Sequence, residues 1–352
     1  MPAVARVRRA SHAGSWYTDD PVELSAQLSS WLDAAKPSHP PARAIIAPHA
    51  GYSFSGPTAA WAYKHLVPDE AVRRVFLLGP SHSLYSPRCL LTSCQAYATP
   101  IGALRVDEAV RDELAATGEF DEMTLAVDER EHSLEMHLPY IVHVMGGRPF
   151  TLVPIMVGAL SEASEARYGR LLAPYLSDRQ NLFVISTDFC HWGARFNFTY
   201  RDPRHGNEIF HSVEALDRPR TCTPCMHAHG CIPLTHARPL HVHTQALDRQ
   251  GMALIEAQDA QGFADYETEL GNTICGRHAV SVFLHALNAQ PEAHTLKFVR
   301  YAQSSQARRA DDSSVSYASA VVCPPCGPGH GPGRGPAEVL DRGPLPPAGP
   351  VG

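Results

Sequence analysis

The sequence predicts an α/β fold: a single domain whose central, mostly parallel or mixed sheet is flanked by helices and carries its site at the carboxyl ends of the strands. Three observations predict it. Short apolar runs rich in β-branched residues alternate along the chain with stretches of helical periodicity, as strands buried on both faces do. Two of those runs end alike: Ala44-Ile45-Ile46-Ala47 stops at Pro48-His49, and Val75-Phe76-Leu77-Leu78 stops at Gly79-Pro80-Ser81-His82. A third run, NLFVIS, continues into Thr187-Asp188-Phe189-Cys190-His191. In an open α/β sheet the crevice beyond the strand ends is where ligands sit, so these imidazoles and carboxylates are expected to face one site.

Each element follows from local signals. Asp20-Pro21-Val22-Glu23 opens the first helix, with Asp20 as cap, Pro21 in the first turn and Glu23 placed for a capping box. Leu24, Leu28, Trp31 and Leu32 make its buried stripe. After the His49 strand, Gly56-Pro57 is read as the start of a short helix carrying Ala60, Tyr63 and Lys64. After the His82 strand, one strand is expected from Cys89 to Tyr97, then a turn at Thr99-Pro100 and a helix capped by Asp107. The segment DEREHSLEMHLPY, from Asp128 to Tyr140, mixes Glu131, His132, Glu135 and His137 with Leu134, Met136 and Leu138. It reads equally as the lining of a cleft or as a solvated helix face broken at Pro139.

A core strand is expected from Phe150 to Gly158 and an amphipathic helix from Ser161 to Leu176. Past the third strand, Asp188 and His191 stand three apart, so a tight turn can bring the carboxylate to the imidazole and fix its tautomer. Cys275, within Asn272-Thr273-Ile274-Cys275-Gly276-Arg277-His278, precedes an apolar helix, where the helix dipole favours a thiolate. Strands from Leu296 to Tyr301 and from Val315 to Val322 close the domain.

Composition narrows the function classes. With 352 residues, 44% of them hydrophobic and 19% charged, the chain buries a full globular core and is not a disordered protein. A net charge of -6 without a basic stripe argues against nucleic acid and against an anionic membrane surface. No apolar run reaches membrane-spanning length and the N-terminus lacks a signal-peptide core, so a cytoplasmic address, with the nucleus as a second, is expected. Nine scattered cysteines, an odd count, point to reduced thiols available to metals.

Together the motifs SHAGSWY, ARAIIAPHAGY, LGPSH, DEREHSLEMHLPY, STDFCHWG, NTICGRH and YAQSSQ with DSSVSYA resemble the Memo family, mediators of receptor-tyrosine-kinase-driven cell motility. The resemblance covers roughly residues 6–217 and 249–322. The Memo fold is in turn similar to that of class III non-haem iron extradiol dioxygenases. The resemblance implies that His49, His82 and Cys275 are metal ligands, with Asp188 and His191 beside them and His191 where the dioxygenases keep an acid/base histidine. Trp16, Tyr17, Tyr52, Ser81, Glu131, His132 and His137 are expected to line a substrate or peptide crevice around them.

Two imidazoles and a thiolate suit one transition-metal ion, with iron(II) or copper favoured and zinc possible. Extradiol oxygenases use a carboxylate where this chain has Cys275, a softer and more oxidisable ligand, so rapid catechol cleavage is not expected. Three function classes follow. The first is a redox-type metalloprotein relaying receptor tyrosine kinase signals to cell migration and the microtubule cytoskeleton, the role the resemblance implies. The second is a metal-dependent oxygenase or hydrolase acting on a small substrate, with His191 as base. The third is an adaptor without chemistry that binds phosphorylated receptor tails or adaptor peptides in the same crevice.

Two regions depart from the family. Residues 323–352 are dominated by Pro and Gly and are expected to be a disordered tail, in which Cys323, Cys326 and His330 have no preformed metal geometry. Residues 218–248 are rich in His, Cys and Pro and are read as an insertion into the domain that spans residues 1–322. A zinc module there would use Cys222 and Cys225 with Cys231, His227 or His229, but the spacing lacks a clean second pair. Instead, Ala215-Leu216-Asp217-Arg218 recurs as Ala246-Leu247-Asp248-Arg249, and removing one copy with everything between joins Ile209, Val213, Leu216, Leu254 and Ile255 into one helical stripe. The insertion is therefore expected to interrupt a helix and to emerge as a loop, since its four prolines forbid a long helix.

Overall fold

The computed structural model of the chain describes residues 5–199, 241–307 and 311–324. In chain order, β1 (Val7–Arg8) precedes α1 (Pro21–Ala34), β2 (Ala44–Ala47), α2 (Tyr52–Tyr63), β3 (Arg74–Pro80), β4 (Leu90–Thr92), β5 (Ala96–Thr99), β6 (Gly102–Arg105) and α3 (Glu108–Ala116). After β7 (Asp121–Met123) come three short helices, α4 (Leu125–Arg130), α5 (His132–Glu135) and α6 (Leu138–Met145), then β8 (Thr151–Val157), α7 (Glu162–Ser177), β9 (Asn181–Ser186) and β10 (His191–Trp192). The last described elements are α8 (His241–Glu256), α9 (Ala260–Leu270), α10 (Arg277–Asn288), β11 (Thr295–Gln303) and β12 (Ser314–Cys323).

The mixed sheet expected from the apolar runs is present, in the order β10-β12-β2-β9-β3-β8-β4-β7, with β11 paired to β12. Its centre is parallel, through β2 with β9, β9 with β3, and β3 with β8. Every residue of β2 and β9 is buried, because helices cover both faces, and one core lies on each side of the sheet. Phe76, Phe183 and Phe283 stack in one core, and Tyr63 stacks on Tyr140 in the other. Register decides what emerges at the strand ends. Ala47 pairs with Ser186, so Pro48-His49 and Thr187-Asp188 leave the sheet side by side.

Helix starts follow their caps. The Asp20 carboxylate accepts from the backbone N–H groups of Val22 and Glu23, both at 2.8 Å, and Asp107 caps α3 through Val110. The capping box does not form, because Glu23 turns to the Thr18 hydroxyl and the Gln27 amide instead.

Four further expectations are corrected. Helix α2 begins at Tyr52, not at Gly56-Pro57, so Pro57 lies inside it. Gly56 is needed there for space, since a Cβ would meet the Trp31 ring at 2.6 Å. The strand expected from Cys89 to Tyr97 is broken at residues 93–95 into β4 of the large sheet and β5, which joins β1 and β6 in a separate three-stranded sheet. Residues 241–248 of the expected insertion are not loop but the first half of α8, where Leu247 and Asp248 are buried. The Asp248 carboxylate accepts from the Tyr301 hydroxyl at 2.8 Å and from the Cys190 N–H at 3.2 Å, which fixes that half of the helix against β11 and the residue before β10. The rest of the insertion, with Cys222, Cys225, His227, His229 and Cys231, lies outside the described residues, as does the tail beyond residue 324. Cys323, expected in the tail, instead closes β12 in register with Thr295 and is buried against the carbonyl of Pro40.

One buried ionic cluster ties the N-terminus to the site. Arg8, fully buried in β1, donates to Asp128 Oδ1 at 3.0 Å, to Glu135 Oε2 at 2.7 Å and to the Glu131 carbonyl at 2.8 Å. Tyr97 and Thr92 satisfy the rest of the Asp128 carboxylate, while His12 and Tyr17 satisfy that of Glu135. Burial pushes the Glu135 carboxyl up, but His12 and Arg8 outweigh it and hold the group down at about 2. The segment that carries Glu131 is thereby fixed beside β3.

Candidate metal centre

His49 leaves β2 two residues past its end and is 2% exposed. Its Nδ1 lies 2.6 Å from the Ser186 Oγ, and that hydroxyl spends its one proton on the Ser133 carbonyl at 2.8 Å. Ser186 can therefore only accept from the ring, so the proton sits on Nδ1 and the Nε2 lone pair is free. Burial, followed by the neighbouring His82, His132, His137 and His191, holds the His49 pKa well below its ordinary value. A neutral imidazole with Nε2 free is the form that binds a metal.

His82 follows β3 and is oriented by another partner. Glu131 accepts from its backbone N–H at 2.6 Å and lies 2.9 Å from its Nδ1, leaving Nε2 as the ligand nitrogen. Burial pushes the Glu131 carboxyl up, but the hydrogen bonds from His82 and Ser133 hold it down at about 2, so it accepts as a carboxylate. A carboxylate behind a ligating histidine is the usual means of fixing the ring and raising its basicity.

Cys275 stands just before α10. Its Sγ lies 3.2 Å from His49 Nε2 and accepts from the Asp188 N–H at 3.2 Å. Burial, then the Asp188 carboxyl, pushes the thiol pKa well above its ordinary value, so the thiolate expected from the helix dipole is not the resting form. The short loop ahead of α10 turns the sulfur inward, where loss of water outweighs the dipole. The ligand atoms of His49, His82 and Cys275 all lie within 4.8 Å of one another. Such separations are of the order spanned by ligands bonded to one ion at about 2.0–2.3 Å, so the donor set fits a single transition metal, which would displace the thiol proton on binding.

The other expected site residues divide. Asp188 and His191 are both beside the centre but do not meet as expected. The Asp188 Oδ1 accepts from the His49 backbone N–H at 2.8 Å, and burial pushes that carboxyl up to about 7. His191 turns away to Thr273, donating its backbone N–H to that hydroxyl and pairing Nδ1 with the Thr273 carbonyl at 3.0 Å. Its backbone pairing with Val315 in β12 sets this direction. Its Nε2 is thereby left able to take a proton, and burial lowers its pKa. His132 stacks on His82 with ring centres 4.3 Å apart, and Trp16, 37% exposed, packs on His132 at 4.4 Å, so these two reach the surface beside the centre.

Tyr17, Tyr52 and His137 do not. Tyr17 and Tyr52 are buried with their hydroxyls committed to Glu135 and to the Met136 carbonyl, and His137 is buried against the Tyr63 hydroxyl. Ser81 uses its hydroxyl to close the turn to Leu84, at 2.6 Å from that carbonyl. Sequence reasoning missed Ser186 and Thr273 as partners of the histidines, and Arg8 as the anchor of Glu131. The parallel pairing of Ala47 with Ser186 was the available signal for the first. Among the described residues, His82, Glu131 and His132 form one other group with ligand atoms in mutual reach, and it shares His82 with the centre.

Comparison with known proteins agrees with this arrangement of motifs. The family model for Memo-like protein matches residues 8–321. Protein MEMO1 of Homo sapiens is 44% identical over 320 residues, covering 90% of this chain and 97% of that protein. Protein MEMO1 of Xenopus tropicalis is 46% identical over 323 residues, covering 90% and 98%. The memo-1 homolog of Caenorhabditis elegans is 42% identical over 319 residues, covering 90% and 82%. Among solved structures, an uncharacterized protein of Escherichia coli K12 aligns over 78% of this chain and 98% of its own at 14% identity, with a TM-score of 0.44.

Proposed function

The chain belongs to the Memo-like protein family, and from that premise we propose that it is a redox-type metalloprotein holding one iron or copper ion between His49, His82 and Cys275. Its cellular role in this reading is to relay receptor tyrosine kinase signals to cell migration and the microtubule cytoskeleton. The observation that carries the reading is the convergence of two imidazoles and one thiol within 4.8 Å, each held by its own partner. A bound ion of this kind supplies one-electron chemistry or a Lewis-acid centre.

The chain's own residues set the conditions for it. Ser186 and Glu131 hold the two rings with Nε2 free, and the Asp188 N–H donates to the Cys275 sulfur and so stabilises its deprotonated form. His191, with Nδ1 occupied by a carbonyl, offers Nε2 as a proton acceptor at the edge of the site. Cys275 supplies sulfur where extradiol enzymes supply a carboxylate, which favours redox cycling over ring cleavage.

The test is to load the protein anaerobically with iron(II) or copper(I) and follow reoxidation by oxygen alongside cleavage of simple catechols. The reading expects metal-dependent reoxidation that Cys275→Ser abolishes, with no rapid ring cleavage. Rapid cleavage would instead make the protein an oxygenase, and a loaded protein identical to metal-free protein would leave the adaptor reading in its place.

A further inference from the structure

A second groove, of about 600 Å3, runs between α7, α9 and α10 and shares none of its lining residues with the metal centre. Glu162 and Glu165 from α7, Glu267 and Thr268 from α9, and Arg277 and His278 from α10 line it. Three carboxyl groups thus face one guanidinium. Glu165 is already committed to His278, whose Nδ1 lies 2.5 Å away, and Glu162 stands exposed at the rim.

Glu267 is the group left over. It is 7% exposed, and neither of its carboxyl oxygens has a hydrogen-bond partner among the described residues. Arg277, the nearest cation among the described residues, holds its Nη1 4.0 Å from Oε2, beyond hydrogen-bond reach, and is itself half exposed. A buried carboxyl without a donor is costly in a folded protein, and a ligand that brings N–H groups removes that cost. A metal ion is not the guest the residues select, because Glu267 belongs to neither group of ligand atoms that lie in mutual reach among the described residues. The volume is that of a small-molecule cleft.

We propose that this groove binds a small organic cation, a guanidinium or primary ammonium compound, whose N–H groups donate to the two unpartnered oxygens of Glu267. A guanidinium fits best, since its parallel N–H pair matches a carboxylate. Glu162 adds negative charge at the mouth, and Arg277 is close enough to select against guests of high positive charge.

The protonation balance gives the proposal a signature. Burial, assisted by the charge of Asp248 on α8 and opposed by Arg277, pushes the Glu267 carboxyl up to about 8, so the empty groove carries it as the neutral acid at neutral pH. A cation that pairs with the carboxylate must expel that proton to solvent.

The experiment is isothermal titration of the full chain with methylguanidine, a monocation at neutral pH, in two buffers of different ionisation enthalpy, for wild type, Glu267→Gln and Glu267→Asp. Saturable binding is expected in wild type, with a buffer-dependent heat that reports proton release. Affinity should fall by at least ~10-fold in Glu267→Gln, with part of it kept by Glu267→Asp, which retains the charge. Absence of saturable binding by wild type, as would follow if Arg277 closes the 4.0 Å gap itself, would overturn the proposal. So would binding of equal strength by Glu267→Gln, or a heat independent of the buffer.

Discussion

At His49 the identity of the ligand nitrogen is settled by a single proton, the one that Ser186 gives to the Ser133 carbonyl. At His82 a charge does the same work, which makes Glu131 the residue through which that histidine can be weakened without touching a ligand. Glu131→Ala is expected to lower metal affinity by ~10–100-fold, the usual effect of removing such a partner, while circular dichroism stays native. Metal titration checks it, and an unchanged affinity would mean that His82 is oriented by its stacking on His132 alone. A second residue-scale prediction concerns pH. The Glu267 carboxyl is raised from 4.5 to about 8 in the folded state, so its contribution to stability is full below the unfolded value and is lost as pH rises toward the folded one. Wild type should therefore lose stability relative to Glu267→Gln between about pH 5 and about pH 8, measured by urea unfolding at the two values. The ligands were legible in the sequence because each ends a strand or opens a helix with an abrupt change of polarity. The pairing of Asp188 with His191 was misread because spacing says which groups are near and not which backbone they bond, and here the sheet register claims Asp188 for His49.

Among the elements, β1 is only two residues long, yet its Arg8 fixes α4, α5 and the turn between them through three separate acceptors. Replacing it by Ala leaves Asp128 and Glu135 buried without their cation. Arg8→Ala should cost on the order of 3–5 kcal/mol in chemical unfolding, the range for breaking a buried pair from one side. A loss below about 1 kcal/mol would show that the cluster reorganises around water instead. Helix α8 carries the other element-scale prediction. Because the four residues from Ala215 recur from Ala246, deleting 218–248 leaves the same joined sequence as deleting 215–245, and the product still places Ala-Leu-Asp-Arg in the helix. The carboxylate that now bonds Tyr301 and Cys190 would be supplied by Asp217 in the shortened chain. Thermal stability should be unchanged or raised and metal binding at Cys275 intact. Unfolding of the shortened chain, or loss of a stoichiometric zinc, would make the segment a structural module. The start of this helix is not legible because the repeat marks an equivalence and not a boundary, whereas burial of Leu247 and Asp248 shows that the second copy lies within it.

Over the whole molecule, the parallel centre of the sheet was readable because strands covered on both faces carry almost no polar residues. The flanks were not, since β4 and β5 are three and four residues long and neither the break between them nor their assignment to two sheets has a local signal. The same logic places the site. Polar side chains appear where apolar strands end, β2, β3 and β9 end on one edge, and α10 brings Cys275 to that edge against Thr187 and Asp188. No helix among the described residues is long and apolar enough to cross a membrane. The central claim, that this edge holds one metal ion, is tested most directly by anaerobic purification followed by elemental analysis of wild type and Cys275→Ser. Wild type should hold about one equivalent of iron or copper and the variant should lose most of it, with both proteins folded. A folded wild-type protein that takes up no transition metal when offered iron(II), copper(I) or zinc(II), or a Cys275→Ser variant that retains a full equivalent, would contradict it.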